Sequence, residues 1–225
     1  MTDLKLPTDK VMEEYKHYRR IELEMNQGLV AKLPQKAIEE CGKKLGILKG
    51  KTLYLDENDS SVFMDYCFHH FRINKANVIE RELAITSFDK DSIEFNVLKS
   101  TATAYYSVFF IKQVVEGKGV LVVDLLYQNE LFVIDVGMAQ TGMENFVFSG
   151  HLLPFKDFYM TSGAPLPIPF ELLQNETIPS ILSKFIDEDS DDHLSNSKET
   201  SFASQIIRSV LRYDGERPEM ICNEF

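Results

Sequence analysis

The chain has 225 residues, of which 44% are hydrophobic and 26% charged, with a formal net charge of −11. That is apolar material for one ordinary core, or one core with an appended subdomain, and the acidic balance argues against a nucleic-acid binder, which needs a basic surface to hold phosphates. Three scattered cysteines make no CxxC motif, the opening MTDLKLPTDK lacks a signal-peptide core, and no apolar run approaches the roughly 18–20 residues of a membrane helix, so the sequence points to a soluble cytoplasmic protein.

The first hundred residues read as helical. In PTDKVMEEYKHYRRIELEMNQG, Thr8 and Asp9 give a cap signal. Val11, Tyr15, Tyr18, Ile21 and Met25 then keep helical spacing up to a stop at Gly28. LPQKAIEECGKKLG follows, with Pro34 in the first turn and Gly46 placed for a left-handed cap. KGKTLYLD suits a short strand, NDSSVFMDYCFHHFRI a capped third helix and ANVIERELA a fourth. SIEFNVLKS fits either a strand or a helix.

From about Tyr105 the apolar period becomes two. YYSVFFIKQVVEGKGVLVVDLLYQNELFVIDV, ENFVFSGHLLPF and DFYMTSG supply strands separated by turns. APLPIPF ends that region. ELLQ, IPSILSKFI and TSFASQIIRSVLRY are helical, the last with Phe202, Ile206 and Val210 in one stripe. The polar DEDSDDHLSNSKE reads as an acidic mobile loop over about 187–200. The expected fold is therefore α+β: a mainly helical region over 1–104, a small antiparallel β-meander or SH3-like barrel over 105–168, and C-terminal helices over 169–225.

The paired strands carry one aspartate each, Asp124 and Asp135. A two-residue hairpin at Gln128–Asn129 would set them as diagonal neighbours, about 7–8 Å apart on one face. That face would hold Val122, Leu126, Leu131 and Val133, with Lys112 opposite Asp124. The core face would hold Leu121, Val123, Phe132 and Ile134. The arrangement favours a solvated outer face over a carboxylate pair for metal or acid–base work.

DYCFHH is the densest group of ligand-type side chains. On a helix Asp65 can meet His69, and Cys67 can meet His70. One helix supplies at most two zinc ligands per face, so the remainder would come from elsewhere. The bland alternative is Cys67 in the core, a surface Asp65–His69 pair and a solvated His70. In FSGH, Ser149 and His151 share a strand face, but no G-x-S-x-G elbow surrounds the serine. LDENDSS fails as a calcium loop, because Ser61 stands where glycine is required.

No motif names a cofactor. The leading expectation is a non-enzymatic interaction or regulatory module whose acidic surface engages a basic protein partner. The alternative is a metal-dependent or acid–base hydrolase drawing on Asp124, Asp135 and His151, with Asp65, His69 and His70 as metal candidates.

Overall fold

A computed structural model describes residues 6–56, 59–141, 144–186 and 193–217. Five helices come first: α1 (Asp9–Val30), α2 (Gln35–Leu45), α3 (Ser60–His70), α4 (Val78–Ile85) and α5 (Ile93–Ala102). A two-stranded ribbon, β1 (Leu48–Lys49) and β2 (Thr52–Leu53), sits between α2 and α3. Local chemistry explains several ends. The Thr8 hydroxyl accepts from the Val11 amide at the start of α1. Gly46 ends α2 in the left-handed conformation, and Asn77 and Glu80 form a reciprocal capping box on α4. Helix α1 runs through Gly28 to Val30, because burial of Leu29 outweighs the modest helix penalty of glycine. SIEFNVLKS resolves as helix α5, capped by Ser92.

The strands β3 (Tyr105–Val115), β4 (Gly119–Asp124), β5 (Glu130–Ile134), β6 (Val147–Pro154) and β7 (Tyr159–Thr161) close into a barrel. Its order is β3-β4-β5-β7-β6, and β3 pairs with β6 to close the ring. β7 inserts between β5 and β6, parallel to β5 and antiparallel to β6. Helix α6 (Val136–Thr141) links β5 to β6 and places Met138 among the side chains that fill the barrel. This is a five-stranded Greek-key barrel of the OB type. A short strand β8 (Leu166–Pro167) adds to β6, and α7 (Phe170–Gln174), α8 (Thr177–Leu182) and α9 (Asn196–Leu211) complete the chain. The fold is thus α+β, with helices on both sides of a small barrel.

The β4–β5 register differs from the two-residue hairpin. Val122 pairs with Leu131 and Val120 with Val133. Extending this ladder puts Asp124 and Asp135 about six residues apart along β4, or roughly 20 Å. The faces are also exchanged. Val120, Val122, Leu131 and Val133 fill the barrel interior. Leu121, Phe132 and Ile134 lie outside, under Met12 and Tyr15 of α1. Both faces are apolar because each is covered, one by the closed barrel and one by a helix, so alternation alone could not choose between them. Lys112 sits at the register shift in β3, between Ile111 and Gln113, and forms an ion pair with Glu130 rather than with Asp124.

The outer face of β3 and β6 meets α2, α3 and α9 in the largest apolar cluster. Tyr106, Val108 and Val147 pack there with Phe63, Cys67, Phe202 and Ile206. No described helix is long and apolar enough to cross a membrane.

A buried histidine–carboxylate candidate site

Three elements converge where α3, β6 and α9 meet. α3 presents Asp65, His69 and His70, β6 presents His151, and the first turn of α9 presents Glu199 and Thr200. Asp65 and His69 are four residues apart and share a helix face. His151 lies beside Tyr106 across the β3–β6 ladder, so it points outward at the helical layer. Asp65, His69 and His151 are buried. The Asp65–His69 surface pair and solvated His70 expected from sequence are therefore corrected. The helix turns this face onto the barrel, not onto water.

The hydrogen bonds fix the protons. Asp65 Oδ2 is 2.6 Å from His151 Nδ1. A carboxylate can only accept here, so Nδ1 carries the hydrogen and donates to Asp65, and Nε2 is the nitrogen left over. Thr200 donates its hydroxyl hydrogen to the Asn196 carbonyl at 2.7 Å. Its oxygen, 3.2 Å from His70 Nδ1, is left to accept from that ring nitrogen. His70 Nε2 is therefore a bare lone pair. Both Nε2 atoms are buried without a hydrogen-bond partner. His151 Nε2 faces Glu199 Oε1 at 3.8 Å, beyond hydrogen-bond reach. One ligand atom from each of His70, His151 and Glu199 lies within 4.8 Å of the others. His151 is buried and His70 and Glu199 are half-buried, and the Tyr106 backbone also hydrogen-bonds to Glu199.

Charge states support the assignment. Burial, then the neighbouring His151, holds His69 down to about 3 and drives His70 well below its ordinary value, so both rings are neutral at pH 7. Burial acts to raise the Asp65 carboxyl, but the charge and hydrogen bond of His151 draw it below the usual range. Burial pushes the Glu199 carboxyl up. His69 stacks on His151, centroid to centroid 3.8 Å and 20° between planes, and its Nε2 is 3.7 Å from Asp65 Oδ1. Asp65, His69 and His151 form a second group of potential ligands. It shares His151, whose Nδ1 is already bonded to Asp65.

The other sequence candidates lie elsewhere. Asp124, fully buried, accepts at Oδ1 from the Ser107 hydroxyl and from the amides of Leu126 and Tyr127, while its Oδ2 is buried without a hydrogen-bond partner. Asp135 caps α6 through the Met138 amide and accepts from Thr161 at 2.7 Å. Arg19 Nη2 stands 3.6 Å from Asp135 Oδ2, and Arg19 Nη1 donates to Glu22 at 3.2 Å. All four of Arg19, Glu22, Asp135 and Thr161 are buried. Ser149 accepts from the Tyr106 hydroxyl at 2.9 Å. Cys67 packs in the large apolar cluster with Cys41, where the hydrogen bond with the Cys41 thiol and burial push it up and leave it without nucleophile character.

Glu199, Thr200 and Arg19 escaped the sequence reading. Glu199 was placed in a polar loop, yet it stands three residues before Phe202 and seven before Ile206. That spacing continues the buried stripe of α9 one turn upstream. Arg19 had no signal, since a basic residue on an amphipathic helix ordinarily faces water. The segment Asp187–Asp192 of the expected acidic loop lies outside the described residues.

One sequence-family model matches, described as a family of unknown function (DUF7986), over residues 9–204. No curated protein and no solved structure matches the chain.

Proposed function

The chain belongs to the family of unknown function DUF7986, and on its own geometry we propose that it is a metal-binding protein whose ion sits between barrel and helices. His70, His151 and Glu199 are the ligands. The observation that carries this reading is that His70 and His151 each bury an Nε2 without a hydrogen-bond partner, and that a ligand atom of each comes within 4.8 Å of the other and of the Glu199 carboxylate. A cation satisfies all three at once. A proton placed between His151 and Glu199 satisfies one contact and leaves His70 bare.

The surroundings suit such a role. Metal-ligating histidines commonly donate their other nitrogen to a carboxylate or hydroxyl, which fixes the ring and raises its basicity. Asp65 does this for His151, and Thr200 for His70. Two imidazoles and a carboxylate suit a first-row divalent ion such as Zn²⁺ rather than Ca²⁺ or Mg²⁺, which take oxygen ligands. The ligands come from α3, β6 and α9, so an ion there ties the last helix to the barrel. This reading draws on the metal candidates of the hydrolase alternative. It makes no use of Asp124, whose Oδ1 serves a hydroxyl and two backbone amides, or of Asp135, whose oxygens serve the Met138 amide, Thr161 and Arg19.

Native mass spectrometry of protein purified without chelator tests it, with added Zn²⁺ as probe. One ion per chain is expected, lost in H70A and E199Q. Zn²⁺ at a hundred times its dissociation constant should stabilise the fold by about 2.7 kcal/mol. A bare mass together with an unchanged melting temperature in Zn²⁺ would overturn the proposal.

A second reading, an acidic module for a basic protein partner, is supported by the net charge of −11. Neutralising substitutions in Asp187–Asp192 should then weaken capture of a basic partner in a salt-sensitive way. The OB-type barrel lends no support to a nucleic-acid ligand. The face of β4 and β5, where such barrels take oligonucleotides, lies under α1.

A further inference from the structure

A groove of 620 Å³ opens on the opposite side of the barrel, between α1, α5 and the β6–β7 turn. Its size is that of a small-molecule site. Lys10, Lys99 and Lys156 line it, a local excess of cations on a chain of net charge −11. Lys10 stands 3.8 Å from Glu14. Neither Lys99 nor Lys156 has a carboxylate in ion-pair range among the described residues. The floor is aromatic. Phe155 stacks on Phe158 at 4.8 Å with 20° between planes, and Tyr18 leans on Phe155 at 4.9 Å. Tyr18 and Phe155 are only half-buried, so ring surface faces the groove. The turn is held by the Phe155 amide donating to the Phe158 carbonyl at 2.9 Å. This sets Lys156 and Asp157 at the rim.

We propose that this groove binds a small phosphorylated aromatic ligand of the mononucleotide class. Each part of that ligand has a counterpart. The aromatic shelf offers stacking to a flat ring. Lys99 and Lys156 offer uncompensated ammonium groups to phosphate. Glu14 and Asp157 offer acceptors to hydroxyl or amine donors, and Asn96 offers both donor and acceptor. A bare anion would leave the rings and carboxylates unused, and an apolar ligand would leave the lysines unused. The site lies apart from His70, His151 and Glu199 and does not depend on the metal.

Isothermal titration with ADP, adenosine and inorganic pyrophosphate, in buffer free of divalent ions, tests the proposal. ADP should bind saturably and more tightly than either fragment. The K99Q/K156Q variant alters two exposed side chains and should weaken ADP at least tenfold with an unchanged circular dichroism spectrum. F155L should weaken ADP and adenosine but leave pyrophosphate unmoved. Absence of saturable ADP binding, or binding indifferent to K99Q/K156Q, would overturn it. Equal affinity for ADP and pyrophosphate would overturn the aromatic part and leave only an anion site.

Discussion

Asp65 Oδ2 lies 2.6 Å from His151 Nδ1, and this contact decides which nitrogen of His151 is free. An asparagine at position 65 can still accept from Nδ1–H, but without charge. D65N should therefore keep the fold and lower Zn²⁺ affinity about 10–100-fold, the usual cost of losing a carboxylate behind a histidine ligand. Competition titration against a chromophoric chelator measures it. Affinity equal to wild type would show that Asp65 does not support His151.

Arg19 is fully buried between Glu22 and Asp135. R19M should destabilise the fold by about 3–5 kcal/mol, because it leaves two buried carboxylates without a counter-charge. Adding E22Q should recover part of that loss, so the double variant will be more stable than R19M alone. Urea denaturation of the two variants and wild type gives both numbers.

Burial raises the Asp124 carboxyl to about 6, against about 3.9 in an unfolded chain. Between those values the folded state binds more protons than the unfolded state. The Asp124 contribution is therefore present at low pH and is lost as pH rises from about 4 to about 6. The loss is on the order of 3 kcal/mol. In D124N this component disappears, while the side-chain carbonyl still accepts from Leu126 and Tyr127. The difference between the two stability–pH curves should run in that window. A flat difference would show an ordinary carboxyl at this position.

Two glycines should respond in opposite ways. At Gly119 φ is +157°, and an added Cβ would sit 2.1 Å from the Val133 carbonyl oxygen. G119A should abolish soluble expression or cost several kcal/mol, as expected of strain against rigid backbone. Gly28 lies inside α1, and its Cβ would meet nothing within 4 Å. G28A should raise stability by about 0.5–1 kcal/mol. Thermal melts of the pair provide the check.

Helices with strong local chemistry were legible in the sequence. Thr8, Gly46 and the Asn77–Glu80 box act within one turn of chain, and so does the period-two pattern from Tyr105. The strand faces were not legible, because a barrel roofed by α1 makes both sides of β4 and β5 apolar. DYCFHH was visible as a ligand cluster, and His151 as an isolated candidate. Their meeting depends on β6 pairing with β3 and on α9 returning across α3. Those contacts join residues 65, 151 and 199, and no local pattern encodes them. Arg19 and Glu22 stayed hidden for a related reason, since their burial depends on Asp135 and Thr161 waiting beneath α1.

The placement of Glu199 and Thr200 in the first turn of α9 sets an order of assembly. On the ribosome, Asp65, His69 and His70 emerge early and His151 much later. The oxygen that completes the ligand set, and the hydroxyl that orients His70, come last. A nascent chain can close its barrel and still offer no finished ion site. On the proposed reading, loading would follow synthesis of α9, and a chain that stops short of α9 would lack both Glu199 and Thr200.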